Sequence, residues 1–105
     1  MKQLTKKELK KFFKEVPKRK QEIALILENV QYERNVAAIF RTADAAGVKK
    51  IYLTGESKQP PFSAPMEHVS RFKEKDVEWQ YEPNSHFVIQ KLKREGYLVI
   101  AVELT

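Results

Sequence analysis

The sequence predicts an α/β fold in which a mostly parallel β-sheet is flanked by helices. Two observations lead to this prediction. Segments with helical and strand-like patterns alternate along the chain, and two strand-like segments, 23–27 and 97–102, are apolar throughout. Strands of a parallel sheet are buried on both faces and have this continuous apolar pattern, whereas half-exposed strands alternate between apolar and polar residues.

The N-terminal segment is predicted to form a helix that ends before Pro17. Thr5 and Glu8 have the spacing of a capping box, in which a hydroxyl and a carboxylate bind the free N–H groups of the first turn. Pro17 lacks a backbone N–H and disfavours helix at the residue before it. Between these two signals, apolar residues recur at helical spacing: Leu9, Phe12, Phe13 and Val16.

A second helix and a second strand are predicted in the middle of the chain. Residues 35–46 form the helix, and Gly47 suits the left-handed conformation that follows a helix C-terminus. Residues 50–54 form the strand. The segment 56–76 is predicted to be mostly irregular, because three prolines in its first half disfavour a regular helix or a central strand: Pro60, Pro61 and Pro65.

The last third of the chain is predicted to add two more strands and a helix. Residues 77–81 alternate as a strand does, and Ser85 is predicted to cap a helix that runs to about residue 95. Its inward-facing residues are predicted to be Phe87, Val88 and Leu92. If the sheet is parallel, a ligand site is expected at the carboxyl ends of its strands, which carry Glu28, Asn29, Gly55, Glu56 and residues 103–105.

The composition is that of a small domain with a basic head. The chain has 105 residues and a net charge of +6, which indicates a polyanionic partner. Residues 1–20 contain nine basic and two acidic side chains, whereas the remainder contains eleven basic and twelve acidic ones. The charge therefore belongs to the first helix, which is either a solvated surface helix or a helix that faces RNA or DNA.

Several classes of function are excluded or disfavoured. The chain has no cysteine, which excludes disulfide scaffolds, thiol catalysis and cysteine zinc sites. His68 and His86 lack the paired spacing of metal ligands, so no metal is expected. No apolar run approaches the roughly 20 residues that span a membrane, and we expect a cytoplasmic protein. The three glycines form neither a dinucleotide-binding fingerprint nor a P-loop.

Two polar residues of the second helix are candidates for a functional role. Asn35 opens the predicted helix, where the simplest interpretation is an N-cap. Arg41 lies roughly opposite the apolar stripe of that helix, where it either faces solvent or pairs with Asp44. Neither residue indicates a chemical function by its own pattern.

The wider context of these residues resembles a known family. Residues 27–48 contain Asn35, Arg41 and the ending Asp44-Ala45-Ala46-Gly47-Val48. This stretch is similar, without a gap, to the first motif of the SpoU/TrmH-type RNA methyltransferases of the SPOUT superfamily. Segments 50–55, 77–81, 92–97 and 101–105 are similar to the strands and the helix end that follow in that family, and the basic helix is similar to the RNA-binding extension of its tRNA-type members.

The resemblance implies a function and a set of site residues. Complete members transfer a methyl group from S-adenosylmethionine to a ribose 2′-hydroxyl of tRNA or rRNA, and they act as homodimers that share the site. It implies that Arg41 engages the phosphate or 2′-oxygen of the target nucleotide, that Asn35 positions it, and that the cofactor-binding residues are Glu103, Leu104 and Thr105. The residues implied to bind RNA are Lys6, Lys7, Lys10, Lys11, Lys14, Lys18, Arg19, Lys20 and Arg41.

The sequence also departs from the family. Segment 70–76 lacks the small residues and glycines often found there, and the second and third family motifs, which build the trefoil knot that holds the cofactor, are absent. We therefore expect a basic RNA-binding helix in residues 1–20 and an incomplete methyltransferase domain in residues 21–105, truncated before the knot. The alternatives are a non-catalytic RNA-binding or dimerisation module and, less favoured because the phosphate-binding glycines are missing, another small Rossmann-like nucleotide-binding domain.

Overall fold

A computed structural model describes residues 2–15 and 22–103 of the chain. They form five strands, four α-helices and one 3₁₀ turn. The strands are β1 (Lys2–Leu4), β2 (Ile23–Glu28), β3 (Lys50–Thr54), β4 (Glu78–Glu82) and β5 (Leu98–Val102). The helices are α1 (Lys6–Glu15), α2 (Glu33–Ala45), α3 (Ala64–Ser70) and α4 (Ser85–Arg94), and the 3₁₀ turn is Lys73–Lys75.

The strands form one sheet in the order β1-β5-β2-β3-β4. Each pair of neighbouring strands in the described part of the chain is parallel. The predicted α/β fold with a parallel sheet is therefore confirmed. Because the strands run in the same direction, their carboxyl ends meet along one edge of the sheet, which we call the carboxyl edge.

Helices cover both faces of the sheet. On one face, Leu9 of α1 and Phe40 of α2 are buried in the larger apolar cluster, which also includes Leu25 of β2. On the other face, Val88 and Leu92 of α4 pack into a smaller cluster with side chains from the central strands. Strand β2 lies between these two layers, and each of its first five residues is therefore buried.

The first helix has the capping box that its sequence predicts. The N–H of Thr5 donates to Glu8 Oε1 at 3.0 Å, and the N–H of Glu8 donates to Thr5 Oγ1 at 3.2 Å. The bond from the Thr5 N–H is the main reason why the pKa of the Glu8 carboxyl is lowered. Leu9 is 1% exposed, while Phe12 and Phe13 pack at the margin of the core. Val16 and Pro17 lie outside the described residues.

Two elements differ from the sequence prediction. Strand β1 was not predicted, because three residues are too few to show a period; it is added beside β5 with Leu4 opposite Val102. Helix α3 lies in the segment predicted to be irregular. Pro65 falls in its first turn, where a missing N–H costs nothing because no intrahelical partner exists there.

Helix α4 shows two further differences. Its N-cap is Asn84, whose side chain accepts the N–H of Phe87, whereas Ser85 is the first helical residue. Phe87 was predicted to face inward but is 60% exposed. Val88 and Leu92 are buried, as predicted, so the apolar stripe is narrower than the prediction by one residue.

Candidate functional site

The carboxyl edge is held together where the loops after β2 and β3 touch. Asn29 has a positive φ of 52°, and its Oδ1 accepts the N–H of Glu56 at 2.9 Å. Gly55 also has a positive φ, and a Cβ built on it would lie 2.1 Å from Asn29 Oδ1. Asn29, Gly55 and Glu56, three of the residues predicted for this edge, therefore contact one another, and glycine is required at position 55 by both backbone conformation and space.

A buried serine fixes the path of the chain from β2 toward α2. The hydroxyl of Ser57 donates to the carbonyl of Leu27 at 2.8 Å and accepts the N–H of Val30 at 2.9 Å. Thr54 Oγ1 donates to the same carbonyl at 3.2 Å. Because these backbone groups are buried and satisfied, the position at which α2 begins is well determined.

The first turn of α2 is tied to α3 by a carboxylate. Glu33 accepts the hydroxyl of Ser63 at 2.7 Å and the N–H of Ser63 at 2.9 Å. These hydrogen bonds, that of the hydroxyl first, hold the pKa of the Glu33 carboxyl below its usual value of 4.5. An anionic side chain in the first turn also interacts favourably with the helix dipole.

Asn35 does not cap the helix. The N-cap of α2 is Tyr32, whose side chain makes no capping bond, and Asn35 is the third helical residue. Its Oδ1 instead accepts a hydrogen bond from Lys6 Nζ of α1 at 3.4 Å. The Asn35 side chain, which the sequence singled out, is therefore one of the places where the basic first helix contacts the second helix.

Arg41 is exposed on α2, and the described residues form no hydrogen bond or ion pair with it. Its expected alternative partner, Asp44, pairs with Lys73 at 3.2 Å, which raises the pKa of the Lys73 ammonium. Arg34 lies two turns before Arg41 on the same side of the helix, about 10.5 Å away along its axis. Arg34 was not predicted from the sequence, although its spacing of seven residues from Arg41 places the two arginines on the same side of a helix.

Asn35 and Arg41 are not brought onto one face of the helix. Six residues at about 100° each place them roughly 120° apart around the axis and about 9 Å apart along it. Asn35 faces α1, whereas Arg41 lies with Arg34 on the exposed side of α2. A single small group therefore cannot contact both side chains within one chain, although an extended polynucleotide can.

Helices α1 and α2 together present a basic surface. They pack against each other on the same face of the sheet. Their acidic side chains of described position already have partners. Glu8 accepts a hydrogen bond from Thr5, Glu33 accepts one from Ser63, and Asp44 forms an ion pair with Lys73. We call α1–α2 basic surface the exposed residues Lys7, Lys10, Lys11, Lys14, Arg34 and Arg41.

The other predicted RNA-binding residues are placed less fully. Lys6 is partly buried and bound to Asn35. Lys18, Arg19 and Lys20 lie outside the described residues, and so does the predicted boundary between residues 20 and 21. The division into a basic head and a body thus stays a prediction, while Leu9 shows that α1 shares the core of the sheet.

The predicted cofactor residues follow β5 at the carboxyl edge. The N–H of Glu103 donates to the carbonyl of Leu4, and its side chain is exposed. Leu104 and Thr105 lie outside the described residues. A carboxylate suits the hydroxyl and ammonium groups of S-adenosylmethionine, but one exposed carboxylate does not enclose a molecule of that size. The described residues do not therefore make a cofactor site by themselves.

Other chemistry has little support in the described part of the chain. His68 and His86 are exposed, the former with its ring edge-to-face against Phe72, and residues 2–15 and 22–103 contain no cluster of three metal-ligating side chains. A groove of about 410 Å³ is lined by Asp44, Lys49 and Asp76 among others, but it lies at the opposite edge of the sheet. Among the described residues, no helix is long and apolar enough to cross a membrane.

Solved structures with the same fold include a tRNA modifying enzyme, an rRNA methyltransferase and a SpoU methyltransferase. The A. aeolicus TrmH/SpoU tRNA modifying enzyme is 21% identical, with a TM-score of 0.66 over 95% of this chain and 59% of that one. An rRNA methyltransferase from Sinorhizobium meliloti is 19% identical, with a TM-score of 0.66 over 88% and 43%. The SpoU methyltransferase AviRb from Streptomyces viridochromogenes, solved with AdoMet, is 12% identical, with a TM-score of 0.62 over 85% and 43%.

The chain thus spans 59% of the first of these proteins and 43% of the other two. No curated protein sequence matches it. The model of the SpoU rRNA Methylase family matches residues 22–105, which include β2 to β5, the Asn29–Gly55 contact and the whole of α2. This match agrees with the parallel sheet and with the motif on α2, and it shows that the chain belongs to the SpoU rRNA Methylase family.

Proposed function

We propose that this chain forms part of an S-adenosylmethionine-dependent RNA methyltransferase that modifies a ribose 2′-hydroxyl of tRNA or rRNA. Family membership supports the reaction class. The observation that carries the proposal for this chain is the contact between Lys6 and Asn35, which sets the basic first helix directly beside the helix that bears the family motif. RNA bound along α1 would therefore reach the residues of α2.

Arg41 is suited to hold the nucleotide rather than to remove its proton. A guanidinium stays charged in proteins and cannot act as a base, but it binds phosphate through two parallel hydrogen bonds. Such a clamp, formed by an exposed side chain that has no partner in the described residues, orients the adjoining ribose. Asn35, held by Lys6, would bind the same strand from the α1 side.

The cofactor would supply a methyl group on a positively charged sulfur. What the chain itself contributes is the placement of the hydroxyl in line with that group, and placement alone accounts for a large part of the rate in reactions of this kind. Because Asn35 and Arg41 face different directions on α2, we propose that a second copy of the chain supplies the remaining residues of the substrate site. The protein would then act as a homodimer whose two copies share the site.

Transfer of a labelled methyl group from S-adenosylmethionine to tRNA and rRNA tests the proposal in the protein that carries this chain. We expect the label in nucleotides whose 3′ linkage resists alkali, because a methylated 2′-oxygen cannot attack the phosphate. Arg41→Ala should reduce transfer by about 100-fold or more, on the scale expected when a positioning group is removed, with unchanged thermal unfolding. Arg94→Ala, an exposed arginine at the end of α4, is the matched control and should keep full activity.

Three results would go against the proposal. Label in an alkali-sensitive linkage would place the methyl group on a base instead of the ribose. RNA binding without any transfer would favour the alternative of a non-catalytic RNA-binding or dimerisation module. Equal losses of transfer in Arg41→Ala and Arg94→Ala would show that only the total charge matters.

A further inference from the structure

We infer that the ring of Tyr32 is a stacking platform for an unpaired base of the RNA that lies on the α1–α2 basic surface. The inference rests on the proposed RNA binding and narrows its substrate to RNA with an unstacked nucleotide beside the contacted backbone. Tyr32 lies between β2 and α2, at the carboxyl edge where the family motif and the basic surface meet.

Folding does not account for a tyrosine at this position. Its side chain is 72% exposed, more than the other exposed aromatic residues Phe87 at 60% and Phe72 at 41%. It occupies the N-cap of α2 and makes no capping bond. Serine, aspartate or asparagine would cap the helix better, so the ring exposes apolar surface without a stabilising role in return.

The surroundings of Tyr32 supply what an RNA strand needs. The carbonyl of Tyr32 accepts the N–H of Asn35 at 3.0 Å, so both residues belong to one turn. Lys6 reaches that turn through Asn35, and Arg34 is exposed two residues after the tyrosine. An exposed aromatic ring beside a surface that carries cations is the combination with which proteins bind single-stranded nucleic acid.

The ring is available for a base on its faces. Phe72 is packed edge-to-face against His68 with ring centroids 5.6 Å apart, and Lys75 lies 5.3 Å from its centroid. Tyr32 has no ring or cation in such contact within the described part of the chain. Phe87, the other exposed ring, lies on α4 across the sheet and far from the basic surface.

The base that stacks here must be unpaired. In a regular RNA helix the bases already stack on each other, and the deep, narrow major groove does not admit a side chain. A loop, bulge or end presents a base that can turn outward onto an aromatic ring while cations hold its neighbouring phosphates. We therefore expect Tyr32 to distinguish looped RNA from continuous duplex.

The test compares Tyr32→Ser with wild type in binding to an RNA hairpin loop. Affinity should fall by about 5- to 150-fold, the range measured when one base loses its aromatic partner. The melting temperature of Tyr32→Ser should equal or exceed that of wild type, because serine is a good N-cap. Tyr32→Trp should keep the affinity, and its fluorescence should be quenched when the loop binds.

Two controls separate stacking from general effects. Phe87→Ser removes a similarly exposed ring from the opposite face of the sheet and should leave affinity unchanged. A hairpin with abasic sites in its loop should bind wild type and Tyr32→Ser equally, and so should a continuous duplex of the same length.

Each contrary result has its own meaning. If wild type binds the hairpin and Tyr32→Ser binds it equally well, the stacking platform is refuted while RNA binding stands. If wild type binds no RNA, the proposed function fails as well. If Tyr32→Ser lowers the sedimentation coefficient of the free protein, the ring is buried against a second copy of the chain, which also overturns the inference.

Discussion

At the scale of single residues, Gly55 and Asn29 decide how the carboxyl edge closes. A Cβ at position 55 would lie 2.1 Å from Asn29 Oδ1, and that oxygen is held by the N–H of Glu56. Gly55→Ala must therefore displace the Asn29 side chain and also strain a backbone with φ of +61°. We expect a loss of unfolding free energy of about 2–5 kcal/mol, the sum of backbone strain and overpacking.

Gly47→Ala is the matched control for this prediction. Gly47 has a φ of +74°, but a Cβ there has no atom within 4 Å. It should lose only the strain contribution of about 1–2 kcal/mol. Urea unfolding of both variants measures the difference, and equal losses would show that the contact with Asn29 is not a constraint.

Residue types also show what the sequence could and could not reveal about the site. Asn35 and Arg41 were predicted from a family motif; Arg41 is exposed on the outer side of α2, whereas Asn35 is half-buried and faces α1. The contact of Asn35 with Lys6 was not predictable, because it joins residues 29 apart through the packing of two helices. Tyr32 was missed because a tyrosine before a helix carries no local signal; its exposure became visible only in three dimensions.

At the scale of elements, Glu33 links the start of α2 to the start of α3. The pKa of its carboxyl is lowered in the folded protein, so folding favours the charged form. The corresponding stabilisation is present above the unfolded pKa near 4.5 and is lost as pH falls through the folded pKa. We expect the stability of wild type relative to Glu33→Gln to shrink as pH is lowered from about 7 to about 3.

Melting temperatures of the two proteins across this pH range check the prediction. Glu22→Gln is the matched control, because Glu22 is exposed and its side chain makes no hydrogen bond to the described residues. Its melting temperature should follow that of wild type more closely than Glu33→Gln does. A constant gap between wild type and Glu33→Gln at all pH values would contradict the role of the Ser63 hydrogen bonds.

The elements that were predicted correctly share a physical reason. The four strands β2 to β5 and the helices α1, α2 and α4 are long enough to show a continuous apolar run, an alternation or a helical stripe. Strand β1 has three residues and is stabilised by pairing with β5, and α3 begins beside a proline, a residue that also occurs in loops. Phe87 was misplaced because helical spacing gives a stripe but not its width.

At the scale of the whole molecule, charge is distributed by face. The α1–α2 basic surface lies on the outer side of the helices that cover one face of the sheet. Lys49, Lys75, Lys93 and Arg94 precede strands and lie toward the edge opposite the candidate site. The sequence predicted a basic head from residues 1–20 alone. The structure extends that surface onto α2 through Arg34 and Arg41, which composition could not indicate because their neighbours in sequence are neutral or acidic.

The salt dependence of RNA affinity shows whether RNA binds the α1–α2 basic surface. Replacing Lys7, Lys10, Lys11 and Lys14 by glutamine should make the slope of log affinity against log salt less negative by about 3, at about 0.7 for each phosphate that is no longer neutralised. The matched set, in which Lys49, Lys75, Lys93 and Arg94 become glutamine, should leave the slope near that of wild type. Equal slopes for the two sets would show that RNA responds only to net charge and that the α1–α2 basic surface is not its binding site.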